Sequence, residues 1–496
     1  MKWFKSKQSC TLLFKCFLMK KIFPILIVLL LFSCSEDYDL QTAAETVDTD
    51  SNKQSGNEKP NVDPKTLFNI YKVPVITLQF SLVQWNKLLS NYDLHPKNEK
   101  KVVAGFTYSL DGSVTQLDSI GLKLKGNTSR RRPEGNFGEV HNSQNPDWHH
   151  CHFSLDFSKN RPAQLFAGRN KISLKWFKDD AAYAREVYSY DLFRRFGIWT
   201  SPRASYCRVY IQVDGTPLAN YGVYAIIEQV DEDYIAQRQQ YWGSAVGDLW
   251  KCGWAGSNYV DFVQTQSIGV EDVTLNPATS LFYAYDLKTN EDNLAAAKAN
   301  LIQFINDLNT KTGPDFQNWI STKMDVPLFM RTYATNVVLG MWDDYWGNGN
   351  NFYFYFAPNG KAYFIPYDYD NTLGTSGLIA NSGTHDPLNW GTTGKPLVTK
   401  ILAIPEYQAI YKKAIKDLIN PNNNFFAASK SMVRIRGWQN MIAPYVSNDT
   451  EEDMLIEDKP ASWGNQPNYR LLSGNNQGGN SGPANFFSSR AASISW

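Results

Sequence analysis

The chain has 496 residues, of which 43% are hydrophobic, 20% charged and 14% aromatic. That is enough apolar material for a large core, and it excludes a disordered or low-complexity protein. Removing residues 1–33 takes away six lysines and no acid, leaving 43 basic against 48 acidic side chains, a balance that argues against a general nucleic-acid binder.

Lys20 and Lys21 precede an apolar run from Ile22 to Phe32. The run is too short to span a membrane and has the proportions of a signal peptide, covering residues 1–33. Leu31-Phe32-Ser33-Cys34 resembles a bacterial lipobox, which makes Cys34 the expected lipidated first residue and Met19 the expected true start. Ser35-Glu36-Asp37-Tyr38-Asp39 resembles the acidic signal that sends some lipoproteins to the outer surface. The expected location is therefore the outer membrane or cell surface of a Gram-negative-type cell, held by a lipid. Residues 34–63 read as the lipid site and a polar, flexible tether. Cys151, Cys207 and Cys252 lie at unrelated spacings and read as three buried thiols, with no disulfide framework or zinc site.

Strand alternation marks Val73–Phe80 and Val102–Tyr108, with a short helix at Gln84–Leu89 between them. Ile120–Lys125 is a strand that breaks at Gly126-Asn127-Thr128-Ser129, followed by Arg130, Arg131 and Arg132. Strands are expected at His152–Phe157 and Asn170–Trp176, and a helix at Tyr183–Phe196 with Gly197 as its stop. Val209–Val213 and Gly222–Val230 read as a hairpin about Asp214-Gly215. Strand-like pieces follow at Asp248–Trp254 and Ser280–Lys288, then helices at Leu294–Leu308 and Val326–Leu339. Helices are also expected at Leu397–Ile419 and Phe425–Ile442, and a loop-rich extension over 457–496. This order reads as α+β, with a strand-rich first half and a helix-rich second half.

Four carboxylates fall within a short stretch: Asp343, Asp344, Asp368 and Asp370. Phe352–Phe356 and Ala362–Pro366, joined at Pro358-Asn359-Gly360, form a hairpin that holds them at neighbouring strand ends. Clustered carboxylates repel unless a cation or a proton lies between them. Protein kinases place a catalytic Asp, a metal-binding Asn, a hairpin and a metal-binding Asp in this order. A solvated loop rich in Asn and Asp is the plainer alternative.

These segments resemble the CotH kinase family over residues 67–445. The resemblance rests on Gly121 to Arg130, on Ala184-Arg185-Glu186 opening a helix, and on Tyr221 to Asp231. It rests also on Trp342-Asp343 with Asn350-Asn351-Phe352-Tyr353, and on Ile365 to Asp370. It implies an atypical, two-lobed protein-kinase-like fold, with an N-lobe over 64–230 and a C-lobe over 231–456. By this resemblance Gly126, Asn127, Ser129 and Arg130 belong to a phosphate-covering loop; a tight turn with solvated arginines is the alternative. Lys171 or Lys175, which share a strand face, would pair with Glu186, and Arg185 is a substitute for either lysine. Glu228 to Val230 lies where adenine would be bound through the backbone. Asp343 is the expected catalytic residue, with Asp344 as its rival. Asn350 or Asn351, Asp368 and Asp370 are expected to hold metal.

His149-His150-Cys151-His152 departs from the family, whose members often carry lysine near the start of this strand. The run has no matching partner pair for a metal and reads as a surface or turn cluster. The function implied is transfer of the γ-phosphate of ATP to the hydroxyl of an unidentified protein, with Mg²⁺. The alternative is a weak or inactive surface lipoprotein that binds a glycan or a protein.

Overall fold

The computed structural model describes residues 62–465, 467–474 and 485–496. The expected leader, Cys34 and nearly all of the tether lie outside the described residues. Helix α1 (Pro64–Leu67) leads into β1 (Val75–Phe80) and α2 (Leu82–Leu94). There follow β2 (Val102–Leu110), β3 (Ser113–Lys125), β4 (His152–Asp156) and β5 (Lys171–Lys175). Helix α3 (Arg185–Arg195), β6 (Ala204–Val213) and β7 (Ala219–Glu228) complete this half.

The seven strands close into a barrel in the order β1-β2-β3-β4-β5-β7-β6. Every neighbouring pair is antiparallel except β1 with β6, which runs parallel and sets Ile76 beside Val209 and Leu78 beside Ile211. Alternation explains the interior: Ile76, Leu78 and Phe80 of β1 point inward with Leu122, Phe153, Leu155 and Leu174, all buried. The outer face of β3, β4 and β5 carries Lys123, Lys125, His152, Asp156, Lys171 and Lys175 instead. Residues 126–151 leave the barrel and return. Trp85 Nε1 anchors the excursion by donating to Glu134 Oε2 at 2.5 Å, and Tyr221 donates to Pro133 O at 2.9 Å.

The chain then forms α4 (Glu232–Ala236), α5 (Gln239–Trp242), β8 (Asp248–Cys252), β9 (Ile268–Gly269) and β10 (Tyr285–Leu287). Helices α6 (Leu294–Thr310), α7 (Gly313–Lys323) and α8 (Val326–Val338) come next, followed by β11 (Phe352–Phe356) and β12 (Ala362–Pro366). A second sheet has the order β12-β11-β8-β10-β9. The last helices are α9 (Pro396–Leu402), α10 (Pro405–Ile419), α11 (Ala428–Ile442) and α12 (Phe486–Ala492). Asp325 caps α8 by accepting from Leu328 N at 3.0 Å. Nearly every side chain of α8 is buried, so it forms the middle of the second core, packed along α10. None of the described helices is long and apolar enough to cross a membrane.

The class is α+β, in agreement with the order of elements. Several boundaries differ. The helix expected at Leu397–Ile419 is two helices, because Pro405 starts a new one and cannot continue the old. Helices α1, α4, α5, α7 and α12 and strand β9 were not anticipated. The strand expected at Ser280–Lys288 shrinks to Tyr285–Leu287. Closure of the strands into a barrel was not foreseen, since the parallel β1–β6 contact joins segments far apart in sequence. Cys151, Cys207 and Cys252 are buried free thiols, as their spacing implied.

Candidate active site

Lys175 ends β5 on the outer face of the barrel, 7% exposed. Its Nζ lies 2.6 Å from Glu186 Oε2 on the first turn of α3, touches Asp368 Oδ1, and lies 3.4 Å from Asp370 Oδ2. Burial alone would lower the Lys175 pKa, but Asp368, Asp370 and Glu186 outweigh it and hold the ammonium charged. Glu186 is raised by burial against the pull of Lys175. Asp370 is pushed well above the usual carboxylate range by burial and by Asp368 and Glu186 beside it, with Lys175 opposing. Asp368 moves the other way: burial would raise it, and Lys175 brings it below its ordinary value. The Asp368 and Asp370 side chains remain 37% and 35% exposed.

Asp368 follows β12 with φ at +61°, a left-handed conformation uncommon outside glycine that aspartate tolerates better than most residues. Tyr190 of α3 sustains it: the Asp368 backbone N–H donates to the Tyr190 hydroxyl at 2.9 Å. That hydroxyl in turn donates to Glu186 Oε1 at 3.4 Å, so α3 positions both carboxylates.

Asp343 follows α8 and sits in a ring of amides. Asn348 and Asn350 donate to Oδ1 at 2.6 and 3.2 Å. Asn351 and Asn371 donate to Oδ2 at 3.0 and 3.4 Å. Burial raises the Asp343 pKa while these amides oppose the rise. Asn351 also has a positive φ, +57°, at the entry to β11. Gly253 permits the close fit here, because a Cβ at this position would lie 2.8 Å from Asn350 Oδ1. Asp344 turns into the core instead. It is 1% exposed and accepts from Asn336 Nδ2 and Gly347 N, each at 2.8 Å, and burial raises it to about 6.

The structure therefore brings together Lys175, Glu186, Asp368 and Asp370, with Asp343, Asn350 and Asn351 beside them. It does not bring Lys171 to this point. Lys171 opens at the far end of β5 into a cavity of about 730 Å³, whose lining includes Asp156, Asp231, Asp233 and Lys288. Arg185 is buried against Asp180 and donates from Nε to Thr372 O at 3.2 Å, away from the cluster. Glu228 is fully buried, 3.2 Å from Arg169 Nη1 and 2.9 Å from Arg238 Nη2. Burial would raise its pKa, but Arg238, Arg169 and Arg203 hold it well below the carboxylate range. Its side chain thus anchors the end of β7, and Val230 is buried just after it.

Gly126 has φ +105°, and Arg130 donates from Nε back to Gly126 O at 2.9 Å and from Nη1 to Pro96 O and Asn98 O at 3.0 Å. This arginine braces the turn. Asn127 lies exposed at its tip and Ser129 is half-buried. The histidine run does not converge on one point. His149 faces Asp147 at 3.2 Å, His150 lies 2.9 Å from Tyr221 O, and His152 accepts from Trp176 N at 3.0 Å.

Reading the sequence missed Lys125, whose Nζ donates to Ser173 Oγ at 2.9 Å and Tyr367 OH at 3.1 Å. It missed Tyr190, Asn348 and Asn371 as well. Asn348 carried a signal, lying in the same amide-rich run as Asn350 and Asn351; Tyr190 carried none.

Three carboxylates, Glu186, Asp368 and Asp370, offer oxygen atoms within 4.8 Å of one another. Such a set of hard donors, too acidic for one ammonium to neutralise, fits a divalent cation such as Mg²⁺. Fold and site define an α+β protein in which a lysine on a barrel strand, a glutamate on the next helix and aspartates at a hairpin end meet in one acidic cluster. A family model described as CotH kinase protein matches residues 123–470, and the chain belongs to that family. It is similar to the inner spore coat protein H of Bacillus subtilis (strain 168), at 26% identity over 301 residues, covering 59% of this chain and 74% of that protein.

Proposed function

We propose that this protein is a phosphotransferase that moves the γ-phosphate of ATP to a protein hydroxyl with the help of Mg²⁺. The observation that carries this reading is the Lys175–Glu186 ion pair set against Asp368, with Asp343 in its ring of amides nearby. A kinase needs a strand lysine paired with a helix glutamate, a metal-binding aspartate and a second aspartate for the acceptor hydroxyl. The barrel bearing Lys175 with helix α3 bearing Glu186, and the second sheet with its helices bearing Asp343 and Asp368, support a two-lobed kinase-like arrangement.

In this reading Lys175 binds phosphate oxygens and Glu186 holds it in place. Asp368, Asp370 and Asn351 hold the metal, whose chemistry is to neutralise charge on the transferring phosphoryl. Asp343 orients the acceptor hydroxyl and takes its proton as the new P–O bond forms and ADP departs. Asp344 supports the loop from beneath. Asn127 and Ser129 cover the phosphates, while Arg130 keeps their turn rigid. The backbone at 228–230 borders the adenine.

One observation favours a second reading, a surface module that binds a glycan or a protein. Trp254 is 44% exposed beside the Asp343 loop, its Nε1 donating to Asn348 O at 3.0 Å, and such an aromatic face suits a sugar ring. In either reading, we assign the chain to the cell surface or outer membrane, anchored through Cys34.

The test is transfer of labelled γ-phosphate to cell-envelope proteins by the wild type and by Asp343→Asn. Labelling that the variant loses, with its fold intact, supports the phosphotransferase. Equal labelling by both removes Asp343 from the chemistry.

A further inference from the structure

His152 stands in the middle of a three-strand row on the outer face of the barrel. On β3 and β4, Lys125 pairs with His152. On β4 and β5, Phe153 pairs with Leu174, which sets His152 opposite Lys175. Outward-facing residues at matched positions on adjacent strands lie side by side. The row Lys125, His152, Lys175 therefore presents three nitrogen-bearing side chains on the face that carries the Glu186, Asp368 and Asp370 cluster.

The imidazole is 3% exposed. Its Nδ1 accepts the Trp176 backbone N–H at 3.0 Å, so Nδ1 carries no proton. In a neutral imidazole the proton then sits on Nε2, which becomes a donor. Among the described residues, no hydrogen-bond partner takes that donor. The edge bearing Nε2 lies under the glycine turn: a Cβ built on Gly126 would come 3.2 Å from His152 Cδ2, the carbon next to Nε2. A protonated ring is disfavoured by burial and by Lys175 and Lys125 nearby.

We propose that His152 Nε2–H is a phosphate-oxygen donor of the nucleotide site, a neutral member of a row whose neighbours are charged. The ligand class is a nucleoside polyphosphate, and the assignment rests on the phosphotransferase reading above. A third cation in this row would face two ammonium groups across the sheet. A neutral donor adds a directed hydrogen bond without that repulsion, and hydrogen bonds to charged oxygens are stronger than neutral ones. The Trp176 amide fixes the tautomer, so the donor is set before any ligand arrives.

Two variants separate the donor from the structural role. His152→Asn keeps an acceptor where Nδ1 meets Trp176 N–H and loses the group at Nε2. His152→Gln places an amide N–H near Nε2. Calorimetry on the purified protein would compare Mg²⁺·ATP with adenosine as probes. His152→Asn is expected to melt with the wild type and to bind Mg²⁺·ATP about tenfold more weakly, the low end for a hydrogen bond to a charged group. Its adenosine affinity should be unchanged, and His152→Gln should recover most of the ATP affinity. Nitrogen NMR of the wild type should show Nε2 protonated and Nδ1 bare at neutral pH. Unchanged ATP affinity in His152→Asn, an equal loss for adenosine, or a proton on Nδ1 would each overturn the assignment. A folded wild type that binds neither probe overturns the nucleotide reading, and this assignment with it.

Discussion

Lys175→Met removes the ammonium that Glu186, Asp368 and Asp370 share. Breaking a buried ion pair by deleting one partner costs about 3–5 kcal/mol, because the remaining charge stays uncompensated. Asp368 and Asp370 keep 37% and 35% of their side-chain surface, so water screens part of the repulsion and a loss of about 2–3 kcal/mol is expected. The loss depends on pH. With the lysine gone, burial and mutual repulsion both raise the folded-state pKa of the carboxylates above their unfolded values. Groups raised in this way favour the folded state at low pH and lose that contribution as pH rises through the folded pKa. The variant should therefore stand close to the wild type near about pH 4–5 and show its full deficit at about pH 8.

Mg²⁺ at about 100 times its Kd adds about 2.7 kcal/mol to the state that binds it, so the metal should recover more stability in the variant, where no ammonium competes. Urea unfolding of both proteins at the two pH values, with and without MgCl₂, measures all of this. Equal midpoints at pH 8, unaffected by Mg²⁺, would refute the shared-charge account of the cluster.

Asp343→Asn should abolish phosphotransfer and lower stability by about 1 kcal/mol, because its new NH2 faces amide donors in the half-open ring, whereas Asp344→Asn should cost about 1–3 kcal/mol by turning an NH2 toward a buried donor; thermal melts and transfer assays separate them. Because burial raises Asp344 to about 6, its contribution favours the folded state in acid and fades as pH climbs through 6, a slope that Asp344→Asn should lose. Glu228→Gln should cost about 3–5 kcal/mol by leaving Arg169, Arg203 and Arg238 facing no charge. The folded-state pKa of Glu228 is depressed, so its contribution is present above the ordinary carboxylate range and is lost as pH falls, and a stability-against-pH profile of the variant should flatten there. Gly253→Ala should displace Asn350 and weaken transfer while sparing nucleotide binding, read by paired calorimetry and kinetics.

The parts of this molecule that were legible in the sequence are those with a local signal. Alternation located Ile76, Leu78 and Phe80 and the strand carrying Lys175, and the turn at Pro358-Asn359-Gly360 located the hairpin. Periodicity could not choose between Lys171 and Lys175, since residues four apart on a strand share a face yet stand about 13 Å apart. The position of α3 makes the choice, and that is a tertiary fact. Asp343 and Asp344 are adjacent, and only the packing of α8 under the loop sends one into the cleft and the other into the core. The anchoring role of the Glu228 side chain was not legible, because nothing beside it in sequence announces Arg169, Arg203 and Arg238. His152, the third histidine of the run, carried no local signal either, because its partner, the Trp176 backbone, lies just past the end of the next strand.

The central claim is that the carboxylate–lysine cluster is a metal–nucleotide site, and calorimetric titration of ATP into the purified protein tests it most directly. The titration is run with and without Mg²⁺, alongside Asp368→Ala. The account predicts saturable binding that needs the metal and that the folded variant loses. Binding by Asp368→Ala equal to that of the wild type, or no heat from a folded wild type at millimolar ATP, would contradict it.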